Sequence, residues 1–291
     1  MNDYLKELRQ LPELGSLDTV LEKWELLRMR MQAGCVKTRN LLPELFLQGT
    51  PGVGRSHLLA LLSSYLRESE LLAFQGEREF IEFRFEYCSE DESFKELNRF
   101  VNKLSDAAGY RSRYKGVICI ELDEWIERFK ERYFSVFTEY LEEHCEDWLL
   151  IFSVNGGEEK KIEELCSYLS MYFRLDPVVL SVPTSEEYLD YLGVFLEEQS
   201  FALSEEAKQV LRRSVEVLKT SPLFDGYKSI NRLGMDIAYE KYTGEVFWSS
   251  VINEADVEMF SPGSRYIQGM LKNYSKKQPM GFVYGGDTDD K

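Results

Sequence analysis

The run Gly49-Thr50-Pro51-Gly52-Val53-Gly54-Arg55-Ser56 constrains this chain more than any other stretch. A phosphate-binding loop requires glycine, four residues, glycine, lysine, then serine or threonine; here Arg55 stands at the lysine position. Leu45-Phe46-Leu47 before it reads as a short buried strand, and His57 to Leu62 after it opens an apolar-striped helix. Glycines leave backbone N–H groups free to close around a phosphate, and a helix N-terminus adds partial positive charge. Residues Gly49 to His57 are therefore the expected nucleotide contact, with the Ser56 hydroxyl directed to Mg²⁺. Arg55 keeps the positive charge, but its planar fork is bulkier than an ammonium and meets a phosphate by another geometry. The pattern speaks for binding before it speaks for hydrolysis.

The elements around the loop follow a regular order. Leu17, Val20, Leu21, Trp24, Leu27 and Met31 share one face of a helix preceding it. Glu79 to Cys88 alternates apolar and polar residues, as a half-exposed strand does, with Phe83, Phe85 and Tyr87 against Glu82, Arg84 and Glu86. Val117–Ile120, Trp148–Val154 and Pro177–Val182 are apolar runs that predict covered strands. Helical stretches separate them at Glu92–Leu104, Glu127–His144 and Glu163–Phe173. Strands alternating with helices predict a parallel sheet with right-handed crossovers. From Ser185 to about Tyr242 the chain reads as wholly helical, and residues 274–291 read as loosely held.

Charge narrows the partners. With 51 acidic against 35 basic residues, the formal net charge is −16. A dedicated DNA-binding protein normally carries a basic stripe, so nucleic acid is an unfavoured partner here. The basic clusters Arg28 to Arg39 and Lys272 to Lys277 are short. No stretch approaches the roughly 18 apolar residues of a membrane span, so no membrane role is expected. Five scattered cysteines, with no secretory leader in view, predict reduced thiols and a cytoplasmic setting.

In this order the residues resemble the AAA+ ATPase superfamily of phosphate-loop proteins, over about residues 10–260. The resemblance implies an α/β fold with a five-stranded parallel sheet ordered 5-1-4-3-2, followed by a small helical lid. It implies an α/β domain over 1–184, a lid over 185–260 and an extension over 261–291. The alternating Glu79–Cys88 strand suits that sheet's edge, the other strands being apolar throughout. Leu14-Gly15-Ser16-Leu17 and the segment Val251 to Val257 look most like the branch of red-type rubisco activases and the stage V sporulation K protein.

ATP or ADP with Mg²⁺ are the cofactors the resemblance implies, and it directs attention to further residues. An acid after the third strand orders Mg²⁺ and a following glutamate polarises the attacking water. Asp123-Glu124 fits that pair; in a rival register Glu121 takes the metal position and Leu122 leaves no base. Burial favours the rival, because a carboxylate inside a strand costs several kcal/mol unless paired, whereas the residue pair favours Asp123 and Glu124. Asn155 occupies the family's place for a residue holding the hydrolytic water, although Asn155-Gly156-Gly157 is also strong turn chemistry. Arg174 lies near the arginine finger that acts on a neighbour's nucleotide, and Lys228 or Arg232 near the lid's γ-phosphate contact. The aromatic–apolar–glycine triplet of polypeptide-threading members is not found after Cys88.

Three functions remain in competition. One is a slow ATPase that remodels or recruits a protein partner, or assembles with homologous subunits in a nucleotide-dependent oligomer. Another is an inactive ATPase relative that serves as a nucleotide-dependent interaction module. The last is a helicase-loader-like DNA-transaction ATPase.

Overall fold

The computed structural model describes residues 3–11, 14–34, 41–87, 93–108, 114–221, 223–244 and 249–272. The chain divides into two compact units, Met1–Pro183 and Thr184–Lys291. In the first, α1 (Asp3–Arg9) and α2 (Leu17–Gln32) lead into β1 (Glu44–Gln48), the glycine loop and α3 (Arg55–Glu68). There follow β2 (Phe80–Arg84), α4 (Ser93–Ala108), β3 (Gly116–Glu121), α5 (Arg132–His144), β4 (Trp148–Val154), α6 (Glu159–Leu169) and β5 (Leu175–Val179). All strand pairs are parallel and the order is β2-β3-β4-β1-β5, which is 5-1-4-3-2 read from the other edge. The expected α/β fold is the one observed.

Because strand side chains alternate between faces, the sheet separates two cores. Leu45, Leu47, Val117, Cys119, Leu149 and Ile151 pack with residues of α1, α2 and α3. Phe46, Ile81, Phe83, Ile118, Ile120, Leu150 and Phe152 pack with α4, α5 and α6 on the other face. Glu82, Glu121 and Ser153 have the parity of the α3 side, a placement that governs the chemistry below.

Several expectations are corrected. β2 is shorter than Glu79–Cys88; it does alternate at an edge, but so little of β5 is covered that apolar-throughout is wrong for that strand. Asp176 and Pro177 sit in β5, which has β1 as its one strand neighbour among the described residues, and an edge is where proline is tolerated in a sheet. The Glu127–His144 helix begins only at Arg132, after a 3₁₀ turn at Asp123–Trp125. The threading-loop region from Cys88, and the expectation for 274–291, lie outside the described residues.

The second unit contains α7 (Ser185–Glu198), α8 (Glu205–Lys219), α9 (Gly226–Thr243), α10 (Glu254–Val257) and α11 (Arg265–Lys272) around their own apolar core. Thr184 and Glu187 form a reciprocal cap on α7, satisfying two otherwise unpaired backbone donors. The unit is not wholly helical: β6 (Ala202–Leu203) and β7 (Val251–Ile252) pair in parallel. Among the described residues no helix is long and apolar enough to cross a membrane.

Candidate nucleotide site

β1 delivers the glycine loop at the C-terminal end of the sheet, and α3 carries it away. Gly52 and Gly54 have φ of 78° and 86°, backbone conformations that a side chain would strain. Gly49 N–H donates to Val154 O at 3.1 Å, and Val53 is buried beneath the turn. Thr50, Pro51 and His57 are exposed, so this side of the loop faces solvent.

Arg55 turns inward, across the C-terminal ends of the strands. Its Nη2 donates to Glu121 Oε2 at 2.7 Å, and its Nη1 donates to Ser153 Oγ and to Asn155 Oδ1, each at 3.1 Å. Its Nε lies 3.6 Å from Glu82 Oε1. Burial opposes the guanidinium charge, but Cys119, Glu121 and Glu82 outweigh it and hold the Arg55 pKa above its ordinary value. Beneath it, burial pushes the Cys119 thiol up to about 11, so that thiol stays neutral at physiological pH. Ser56 Oγ donates to Glu82, at 3.1 and 3.0 Å from its two carboxylate oxygens.

The acidic residues separate into distinct roles. Glu121 is the last residue of β3 and receives both Arg55 and, at 3.5 Å, Arg84 Nε. Asp123 lies beyond the strand and accepts from Asn155 N at 2.7 Å and Asn155 Nδ2 at 2.9 Å. Glu124 is directed toward β2, where it accepts from Arg84 Nη2 at 2.9 Å and Tyr87 N at 2.8 Å. Leu122, between these acids, is buried. Arg55, Glu121, Asn155 and Asp123 thus form one connected group, and Glu124 joins it only through Arg84.

Sequence reasoning did not single out Glu82, Arg84 or Ser153 as partners of the loop. The signal was parity: Glu82 is two residues from Phe80, and Ser153 two from Ile151, both on the α3 face. The remaining candidates lie elsewhere. Arg174 immediately precedes β5, at the strand end where Glu44 pairs with Leu175, whereas the loop follows Gln48 at the other end. A strand-length of roughly 15 Å separates those ends, so Arg174 cannot reach its own chain's loop. In the second unit, Lys228 is exposed and pairs with Asp225 at 3.3 Å, and Arg232 is exposed on α9.

The comparisons with known proteins agree with this architecture. Neither the protein-family models nor the curated proteins match the sequence. Among solved structures, the RuvB Holliday junction branch migration motor of Thermotoga maritima is similar, with a TM-score of 0.54 and 13% identity. That likeness spans 92% of this chain and 80% of RuvB. Domain III of the Thermotoga maritima replication initiation protein DnaA gives 0.53 and 15%, over 94% of this chain and 98% of that domain. At such identities the likeness is one of fold, and that fold is the AAA+ fold.

Proposed function

We propose that this chain is a nucleotide-binding AAA+ module that holds ATP or ADP without appreciable turnover and acts through nucleotide-dependent contacts with a protein partner. The observation that carries the reading is Arg55: the cation at the lysine position is engaged by Glu121, Ser153 and Asn155 inside the protein. The backbone cradle with its left-handed glycines fits a phosphate chain, and Ser56, Glu82 and Glu121 form a set of hard oxygen donors that fits Mg²⁺. Bound Mg²⁺ would neutralise phosphate charge. This chain's residues do the rest: the loop binds and orients, and Arg55 moves its charge between carboxylate and phosphate.

Hydrolysis needs a base beside the metal-bound acid. Glu121 takes the strand-end position and buried Leu122 follows it, so the rival register is the one this reading adopts. A slow ATPase is the second reading, supported by the exposure of Arg84, which makes its hold on Glu124 cheap to release. Single-turnover phosphate release separates them. On our reading wild type, Glu124→Gln and Arg55→Lys all bind ATP and release phosphate at the background rate. Turnover that is lost specifically in Glu124→Gln establishes the slow ATPase instead.

The names of RuvB and DnaA concern DNA processing, which keeps a DNA partner as a competing reading. The −16 balance opposes it, since phosphate neutralisation dominates such binding. Duplex or single-stranded DNA retained at low salt in a mobility-shift measurement would favour the DNA reading.

A further inference from the structure

A cavity of about 420 Å³ lies between α2 and the N-terminal end of the sheet, remote from the glycine loop. Its apolar lining includes Trp24, Leu26, Leu27 and Leu41. Leu26 is 45% exposed and Leu41 36% exposed, so apolar surface is left open at the rim. Four charged residues also line it. Lys23 and Asp176 pair with each other at 3.5 Å and largely cancel. Arg30 and Arg174 remain, and among the described residues neither guanidinium has a carboxylate partner. In a chain with 51 acidic residues, two unpaired arginines on one concavity are conspicuous. Both side chains are solvent-exposed, so each guanidinium is open to an anion that enters the cavity. Trp24 Nε1 is in addition a buried donor with no hydrogen-bond partner among the described residues.

The geometry points to a binding site for a small organic anion, a carboxylate with an apolar body. The head group would lie against Arg30 and Arg174, and the body over Leu26, Leu27 and Leu41. The volume falls within the range of ordinary small-molecule sites, roughly 300–1,000 Å³, which are largely apolar with a few placed polar groups. Arginine suits the head group because its planar fork accepts a carboxylate through two parallel hydrogen bonds. The lining residues named here all belong to one chain. It differs in this from an arginine finger, which needs a neighbour's phosphate, and it gives Arg174 a role in a monomer without nucleotide.

The test uses the full chain, nucleotide-free and at concentrations where it is monomeric, titrated calorimetrically with 2-naphthoate and with its neutral carboxamide. Naphthoate is expected to bind and the carboxamide to bind at least about tenfold more weakly, the scale of one charge-assisted hydrogen bond. Arg30→Ala and Arg174→Ala are each expected to weaken naphthoate by about tenfold, while unchanged circular dichroism reports an intact fold. Added ATP should not displace the naphthoate. Equal binding of acid and amide overturns the proposal, as does full binding by the double alanine variant. So does displacement by ATP, which would place the anion in the glycine loop, or no binding at millimolar naphthoate.

Discussion

The two ends of the five-stranded sheet treat their carboxylates in opposite ways. At the loop end, Glu121 is met by two guanidinium groups, those of Arg55 and Arg84. At the other end, Glu44 is enclosed with one backbone donor, Leu150 N–H, and no cation among the described residues; burial pushes its pKa up to about 8. The same residue type on two strands of one sheet, β1 and β3 with β4 between them, is thus an ion-pair partner in one place and a neutral hydrogen-bonding group in the other. Partner supply, not strand geometry, makes the difference.

That contrast is sharpest in its pH dependence, where the largest effect is expected. The folded pKa of Glu44 is raised above the ordinary 4.5, so folding favours the protonated form. Its stabilising contribution is complete below about pH 4.5 and is lost as pH rises toward about 8. The loss is on the order of 4 kcal/mol at pH 8, at 1.36 kcal/mol per pKa unit. Urea denaturation between pH 5 and 8 should show that slope in wild type and a flatter one in Glu44→Gln. Equal slopes would place the Glu44 carboxyl in water and dissolve the comparison.

A smaller effect belongs to the loop end. Removing Arg55 leaves Glu121 half-enclosed and short of a partner, so Arg55→Ala should cost about 2–3 kcal/mol. Glu121→Ala should cost less. A double-mutant cycle of the two should give about 1–2 kcal/mol of coupling, and a coupling near zero would mean that Arg55 points elsewhere in solution. Next, on the proposed reading Glu82 stands beside the phosphates as one of the Mg²⁺ donors. Its change to glutamine should tighten Mg²⁺-free ATP by about tenfold and weaken the further gain that Mg²⁺ brings. Mg²⁺-free affinity that is indifferent to this change would move Glu82 away from the phosphates. The smallest effect is that of Arg84→Ala. Its pairs are 56% exposed on the arginine side, which limits the cost to about 0.5 kcal/mol in thermal unfolding.

Much of the frame was legible because it rests on local signals. The strand–loop–helix around Gly49–Ser56 needs only adjacent residues, and Val117–Ile120 and Trp148–Val154 identify themselves by unbroken hydrophobicity. The alternation of β2 gave away its edge position. β5 was misread because Val178 and Leu180 carry an apolar signal, while its exposure depends on having only β1 as neighbour. The partners of Arg55 were hidden for a different reason. Ser153 and Asn155 lie 98 and 100 residues from it, and Glu121 lies 66. Only the sheet order makes them neighbours, and the choice between Glu121 and Asp123 is a choice of strand parity that the residue types leave open.

Pro177 carries a consequence of another kind. A strand with one free side is a template on which any extended chain can polymerise. In β5 the ring of Pro177 removes a donor from the strand, Asp176 adds a charge, and Ser16 occupies the outward N–H and C=O of Val179. Chain-to-chain strand addition there is interrupted in mid-register. β5 is the last strand of the sheet in chain order, so that interruption guards the edge of the finished sheet against addition by like chains.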